Sequence, residues 1–123
     1  MTCERQMRGA TAFHSGMVAE AAVAAAYVRA GHPVVERRWR GSGGEIDLIA
    51  QDGAGFVFIE VKKSGTHAQA AEHLTRAQIE RIFGAATEYV AATPLGLMTE
   101  MRFDVALVDS MGRIEVLENA LAA

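Results

Sequence analysis

Four charged side chains interrupt two short apolar runs of this sequence at every second position: Glu45, Asp47, Glu60 and Lys62. Residues 45–50 (EIDLIA) and 56–62 (FVFIEVK) are otherwise rich in the residue types of core strands. Two neighbouring carboxylates repel each other unless a cation lies between them or one of them keeps its proton. Hard divalent cations prefer such oxygen ligands, and a lysine beside them could orient or deprotonate a water molecule. The residue types therefore allow metal-assisted attack on a phosphate.

The alternation of a β-strand predicts which of these side chains share a face. Successive residues point to opposite faces, so Ile46 and Leu48 are expected on one face and Asp47 on the other. Residues 51–55 (QDGAG) have the composition of a tight turn, which predicts an antiparallel hairpin. When the apolar sets of the two strands pair, the polar sets also fall together. Asp47 is therefore expected beside Glu60.

A solvated sheet face explains the same spacing without any chemistry. Alternating strands with one wet face often carry acids and lysines, and an exposed Glu60–Lys62 pair stabilises by less than ~1 kcal/mol. Against this, both runs have the composition of central strands, where an unpaired acid is costly. The spacing alone leaves a wet sheet face and a cation site as alternatives.

The rest of the sequence predicts the elements that position the hairpin. Helices are predicted over residues 12–30 and 75–92, and strands over residues 34–40, 45–50, 56–62, 101–108 and 113–117. Ser15 and Thr75 are the expected N-caps, residues 41–44 (GSGG) a flexible break, and residues 64–73 a loop. The order α-β-β-β-α-β-β predicts an α/β domain with a mixed sheet of about five strands flanked by two helices.

The bulk properties are those of one domain spanning residues 1–123, with a mobile segment over about the first ten residues. The single cysteine, Cys3, has no partner in the chain, which fits a reducing, cytoplasmic setting. No apolar run approaches the ~20 residues of a membrane span. The net charge of −3 excludes a globally basic nucleic-acid binder, so nucleic acid would need a local basic patch or bound cations.

Several blocks in order resemble a known family. GEIDLIA followed by FIEVK resembles the core of the PD-(D/E)-x-K nuclease superfamily, in which an acid, a gap and E-x-K form the metal site. More narrowly, the chain resembles the YraN-like uncharacterised proteins, which are similar to Holliday-junction resolvases. The blocks GMVAEAAVAAAYVRAGHPVVERRWR, RFDVALVD and IEVLENAL extend the resemblance over most of the chain. The resemblance implies a restriction-endonuclease-like fold.

The same resemblance implies a role for each charged residue of the hairpin. Asp47 and Glu60 would bind Mg²⁺, with Mn²⁺ as an alternative, and the backbone carbonyl of Val61 would add a ligand. Lys62 would position or activate the attacking water as a catalytic residue. Glu20, at the position of a helix acid in resolvase-like members, would be a second catalytic residue. Without the resemblance, Glu20 is interpreted as a solvated glutamate of an alanine-rich helix.

Candidate substrate-binding residues flank the acids. Glu45 is a candidate outer-sphere acid. Arg38 and Arg40 lie beside Trp39 in the densest basic patch and are candidate phosphate ligands, although a packed Trp39 explains that patch equally well. The second helix (TRAQIERIF) departs from the lysine- or glutamine-bearing basic segment common in the family. Arg76, Gln78 and Arg81 are the candidates to substitute for that segment, and Gln78 is the candidate phosphate ligand there.

The function predicted from these residues is a Mg²⁺-dependent endonuclease that hydrolyses DNA of branched or recombination-type structure. Its partner is nucleic acid and not a membrane. Two alternatives remain from the sequence: a catalytically inactive nucleic-acid-binding module, and a protein-interaction domain that forms a homodimer through an apolar helix or an edge strand.

Overall fold

A computed structural model describes the backbone of residues 2–120 and the side chains of residues 15–120. The elements, in chain order, are α1 (Thr2–Arg29), β1 (Val34–Arg40), β2 (Glu45–Asp52), β3 (Gly55–Lys63), α2 (His67–Glu72), α3 (Arg76–Ala91), a 3-10 turn (Gly96–Met98), β4 (Met101–Val108) and β5 (Ile114–Leu117). The predicted fold class is confirmed, with three α-helices where the sequence predicted two. The predicted mobility of about the first ten residues concerns a segment whose side chains lie outside the described residues, and it stays a prediction.

The sheet is mixed and follows the order of the chain, β1-β2-β3-β4-β5. The predicted hairpin is confirmed: β2 and β3 pair antiparallel from Asp52 and Gly55 to Leu48 and Ile59. β3 and β4 pair in parallel, so the segment between them must cross from one end of the sheet to the other, which is where α2 and α3 lie. The β2–β3–β4 centre is thus covered on both faces and can carry apolar runs.

Helices cover the two faces of the sheet. One core cluster joins α1 to the sheet and consists of Ala19, Val23, Ala24, Tyr27, Leu48, Ala50, Val57, Ile59, Ala106 and Val108. The other joins α3 to the opposite face and consists of Ile46, Ile49, Phe58, Ile82, Ala85, Ala86, Val90 and Phe103. The small residues of α1 allow its backbone to lie close to the sheet, which brings side chains at its edge near the ends of β2 and β3.

The helices differ from the prediction in two ways, which are the start of α1 and the presence of α2. α1 begins at Thr2, so Ser15 is an interior residue of α1 and its predicted N-cap role is wrong. Residues 64–73 were predicted as a loop, but His67–Glu72 form α2, whose N-cap Thr66 accepts a hydrogen bond from the Gln69 backbone. Six residues are too short for a helical period to show in the sequence, so only the capping threonine signalled this helix.

The start of α3 was predicted correctly from its capping signal. Thr75 Oγ1 accepts from the Gln78 N–H, and Gln78 Oε1 accepts from the Thr75 N–H, which is a complete capping box. Within residues 2–120, no helix combines the length and apolar character that crossing a membrane requires.

Candidate metal centre at the parting of two strands

Asp47 lies where β2 separates from β3. Backbone pairing between the two strands runs as far as Leu48 and Ile59. At the next position, Asp47 Oδ2 accepts a hydrogen bond of 2.8 Å from the Val61 N–H. The N–H and C=O of one strand residue point the same way, so the Val61 carbonyl also points toward Asp47. The parting therefore places an acid next to a backbone carbonyl.

The regular alternation predicted for β2 breaks at this point. Ile46 packs in the α3-side cluster and Leu48 in the α1-side cluster, so the expectation that they share a face is wrong. Arg37 pairs with Leu48 and Trp39 with Ile46 in one register, so the residue between them on β1 lies opposite Asp47. That residue has a positive φ of 50°. The change of face in β2 therefore lies beside a left-handed backbone conformation in β1.

The structure brings Asp47 and Glu60 together, as the hairpin pattern predicted. Their carboxyl groups lie within reach of a shared hydrogen bond. Burial raises the pKa of Glu60 to about 7, the negative charge of Asp47 adds to this rise, and the ammonium of Lys62 opposes it. Burial likewise raises the pKa of Asp47, while the bond from Val61 opposes the rise. One proton or one cation between the two groups relieves their repulsion.

Lys62 completes this cluster. Its Nζ lies 3.2 Å from Glu60 Oε1, and the two side chains are only 15% and 14% exposed. An ion pair so shielded from solvent differs from the exposed pair that a wet sheet face would carry. Lys63, the next residue, contacts the Ser15 hydroxyl of α1. The two adjacent lysines therefore have different surroundings, and only Lys62 faces the acids.

Glu20 reaches the neighbourhood of the pair without joining it. Its two oxygens accept hydrogen bonds of 3.2 Å each from Arg38 Nε and Nη2. The pKa of Asp47 is raised mainly by burial, and the negative charge of Glu20 adds a smaller rise. The Val61 hydrogen bond opposes both. Among residues 15–120, no three His, Cys, Asp or Glu side chains are grouped closely enough to hold a metal ion.

Asp47 and Glu60 fit Mg²⁺ as an incomplete ligand set. Mg²⁺ usually binds proteins through one or two carboxylates, with water and substrate phosphate completing its shell. A half-buried carboxyl pair with raised pKa values is an arrangement that a divalent cation stabilises by removing the repulsion. The donor set therefore suits a magnesium ion that is bound together with substrate.

A cleft of about 190 Å³ opens beside Glu60 on the α3 side of the sheet. It is lined by Gly44, Glu45, Glu60, Gln78, Arg81 and Ile82. Gln78 and Arg81 are one helical turn apart and share a face of α3. Both candidates of the second helix thus line the cleft, whereas Arg76 is not among its lining residues.

Two other predicted residues lie at the outer rim of this cleft. Arg40 Nη2 donates to Glu45 Oε2 over 3.2 Å, and Arg40 is 80% exposed. Such a pair contributes little stability, about 0–1 kcal/mol, and is readily broken. Trp39 packs edge-on against Tyr89 with ring centroids 5.3 Å apart, so the structure supports a packed Trp39. The phosphate-binding role of the arginines beside it stays a prediction.

The glycine turn at residues 41–44 is fastened to α3 and is not a flexible break. Glu88 Oε2 accepts 2.9 Å hydrogen bonds from both the backbone N–H and the hydroxyl of Ser42. A Cβ at Gly41 would lie 2.7 Å from that oxygen and 2.8 Å from the Trp39 ring, so glycine is required for this approach. The wall of the cleft formed by this turn is consequently fixed by α3.

A further buried acid, Asp104, was missed in the sequence and belongs to a separate network. It accepts hydrogen bonds from Tyr27 (2.6 Å), from Arg102 Nε and Nη2 (3.0 and 2.9 Å), and from the Asn119 N–H (3.0 Å). Its carboxylate is fully buried and is bound from several sides. An acid within the apolar run MRFDVALV was the available signal. The network ties α1 and the chain after β5 to β4.

The raised pKa of Glu60 predicts a pH-dependent stability in metal-free protein. The folded protein keeps the Glu60 proton at pH values where the unfolded chain, with an ordinary pKa of 4.5, has released it. The stabilising contribution of the protonated Glu60 is therefore fully present below about pH 4.5 and is lost as the pH rises through about 7, by about 3 kcal/mol. Urea unfolding at pH 5, 6, 7 and 8 with a chelator measures this slope, and Glu60→Gln is expected to flatten it. If the wild type and Glu60→Gln show the same dependence of stability on pH, groups other than Glu60 cause that dependence.

Fold and site define a mixed α/β protein that holds two half-buried carboxylates and a lysine where two antiparallel strands part. The model of the uncharacterised protein family UPF0102 matches residues 19–108. The chain belongs to this family, which is the YraN-like group that the sequence resembles. The matched segment includes all of the elements that form the cluster.

Relatives match nearly the whole chain. A UPF0102 protein of Cereibacter sphaeroides is 62% identical over 117 residues, covering 95% of this chain and all of the relative. A UPF0102 protein of Ruegeria pomeroyi is 51% identical over 113 residues, covering 92% of each chain. One from Dinoroseobacter shibae is 48% identical over 115 residues, covering 94% of this chain and 86% of the relative.

Proposed function

We propose that this protein is a Mg²⁺-dependent endonuclease, with Mn²⁺ as an alternative cation, that hydrolyses phosphodiester bonds in DNA of branched or recombination-type structure. The observation that carries the proposal is the convergence of Asp47, Glu60 and Lys62 at the parting of β2 and β3. The sequence similarity to PD-(D/E)-x-K nucleases agrees with this arrangement of an acid on one strand and E-x-K on the next. Branched DNA is the substrate class because the similarity is closest to Holliday-junction resolvases.

Each residue of the cluster has a defined task in this reaction. Asp47, Glu60 and the Val61 carbonyl would hold the cation, which would supply Lewis-acid activation and neutralise charge on the phosphate. Lys62 lies against Glu60 and orients the attacking water, and its positive charge stabilises the charge that develops on the phosphoryl oxygens. The attacking water loses a proton to solvent as its oxygen bonds to phosphorus. The P–O bond to the sugar oxygen breaks, and that oxygen takes up a proton from solvent.

The cleft beside Glu60 suits the DNA backbone next to the scissile phosphate. Gly44 presents no side chain there, and Arg81 and Gln78 supply donors from α3. Arg40 at the rim exchanges Glu45 for a phosphate at small cost, since its ion pair is exposed. These few basic groups act together with a bound cation, which offsets the chain's net charge of −3.

The test is cleavage of a four-way junction, a flap and a single strand by purified protein at low salt with Mg²⁺ or Mn²⁺. We expect metal-dependent cleavage of the branched substrates, abolished by EDTA and by Asp47→Asn. The asparagine side chain keeps an oxygen that can accept the Val61 N–H while losing the negative charge, so the variant should remain folded. Absence of cleavage of every substrate by the wild-type protein would overturn the proposal, and equal cleavage by the variant would reveal a contaminating nuclease.

A catalytically inactive nucleic-acid-binding module is the second candidate. Two observations favour it: Glu20 is already bound to Arg38, and the whole chain is acidic. It predicts salt-sensitive DNA binding that Asp47→Asn retains, without detectable Mg²⁺ binding by calorimetry. Mg²⁺ binding that Asp47→Asn abolishes would exclude this candidate.

A further inference from the structure

Arg38 occupies an unusual place beside the candidate metal centre. Its φ of 50° lies in the left-handed region, which non-glycine residues seldom adopt and which is found preferentially at functional sites. Because Arg37 pairs with Leu48 and Trp39 with Ile46, Arg38 lies opposite Asp47 on the neighbouring strand. Arg38 therefore lies on the strand next to the acid that would hold the cation, and its side chain reaches Glu20.

The guanidinium of Arg38 forms a two-pronged ion pair with Glu20 of α1. Both bonds are 3.2 Å long, and the Arg38 side chain is 41% exposed whereas Glu20 is only 19% exposed. The arginine thus lies on the solvent side of the pair and the glutamate beneath it. The negative charges of Glu45 and Asp47 also act on Arg38. A cation at Asp47 would repel the positive guanidinium of Arg38, and an incoming phosphate would attract that guanidinium.

We propose that Arg38 and Glu20 exchange partners when a divalent cation and the DNA phosphate bind. Arg38 leaves Glu20 and forms the same two-pronged contact with phosphate oxygens, which its planar fork matches as well as it matches a carboxylate. Glu20 then turns to the cation as a third carboxylate beside Asp47 and Glu60. Charge stays balanced in both arrangements: arginine with glutamate before binding, arginine with phosphate and glutamate with the cation afterwards. This inference rests on the proposed function.

The exchange explains why Glu20 is close enough to Asp47 to influence it and yet does not join the acid pair. An uncompensated third carboxylate would add repulsion to a pair whose pKa values are already raised. The pairing with Arg38 neutralises Glu20 until a cation arrives. Arg38 is accordingly a positioning residue for Glu20 and, in the bound state, a ligand of the substrate phosphate.

The experiment is a double-mutant cycle on Mn²⁺ affinity, measured by calorimetry at pH 8 without DNA. The proteins are the wild type, Glu20→Gln, Arg38→Gly and the double variant; glycine accepts the positive φ, and a thermal unfolding curve checks folding. Arg38→Gly is expected to bind Mn²⁺ roughly tenfold more tightly because Glu20 is released toward the ion. The double variant is expected to lose this gain. Arg37→Gln, which removes a neighbouring positive charge, is the matched control and should leave the affinity unchanged.

The results separate the two proposals. If neither the wild type nor Arg38→Gly binds Mn²⁺, the metal site itself is wrong and the exchange falls with it. If the wild type binds Mn²⁺ but Arg38→Gly shows no gain in affinity, or the gain persists in the double variant, the metal site stands and the exchange is overturned.

The second part of the exchange, in which Arg38 contacts the DNA phosphate, is tested by measuring binding of a four-way junction in Ca²⁺ at several salt concentrations. Arg38→Gly is expected to lower the salt slope by about one, and an unchanged slope would overturn that half.

Discussion

Lys62→Ala is expected to slow DNA cleavage by about 10²–10⁴-fold while divalent-cation binding is retained. The reason is that Lys62 faces Glu60 from within the cluster, where its ammonium would orient the attacking water. Single-turnover cleavage of a four-way junction measures the rate, and calorimetry measures the cation affinity. The matched control is Lys63→Ala, which removes an identical charge from the adjacent residue, where it contacts Ser15 of α1. We expect the control to retain cleavage within severalfold of the wild type.

Two explanations for a slow Lys62→Ala protein are separated by pH. The Lys62 ammonium opposes the rise in the pKa of Glu60, so its removal raises that pKa further and leaves more of Glu60 protonated at neutral pH. If this were the whole effect, cleavage would recover at pH 9, where Glu60 is ionised in both proteins. Full recovery would contradict a direct role in the reaction, and a persistent defect would support it.

Asp104→Ala is expected to lower the free energy of unfolding by about 3–5 kcal/mol, a large fraction of the stability of a domain of this size. Removing the carboxylate leaves the guanidinium of Arg102 and the hydroxyl of Tyr27 without their buried acceptor. It also frees the Asn119 N–H, through which the chain after β5 is attached to β4. Urea unfolding at pH 7, followed by circular dichroism, measures the change.

Tyr27→Phe is the graded comparison for Asp104→Ala. It removes one hydrogen bond to the buried carboxylate and keeps the packing of the ring, so a loss of roughly 1.5–3 kcal/mol is expected. Burial, together with the hydrogen bond to Asp104, raises the pKa of Tyr27 well above its ordinary value, so the hydroxyl stays protonated and donates throughout the useful pH range. A loss for Asp104→Ala no larger than that for Tyr27→Phe would show that the Arg102 contact contributes nothing.

The strands and their pairing could be predicted because their signals are local. Alternation, β-branched composition and the turn at residues 51–55 predicted the strands β2 and β3. The hairpin that these strands form predicted that Asp47 lies beside Glu60. The capping box of α3 was likewise visible in the residues Thr75 and Gln78. Each of these features depends on residues a few positions apart, so the printed sequence contains what is needed.

The remaining features depend on contacts between residues far apart in the chain. The alternation of β2 fails between Ile46 and Leu48 because the strand parts from its neighbour there, which no pattern within residues 45–50 reveals. Asp104 is paired with a tyrosine 77 positions away. The left-handed backbone of Arg38 is imposed by the same strand distortion and not by its residue type. Tertiary structure, and not local preference, decides all three.

The carboxylate of Asp47 makes two kinds of contact. It accepts the hydrogen bond of the Val61 N–H in place of a backbone carbonyl, and it faces Glu60. Under the proposed function, selection for a folded sheet and selection for chemistry act on the same carboxylate. A relative without that reaction would still need an oxygen acceptor at this position for the Val61 N–H. Lys62, whose partner is another member of the cluster, is under no comparable constraint from the backbone. Across the family, loss of the lysine would therefore mark a pseudoenzyme more reliably than loss of the aspartate.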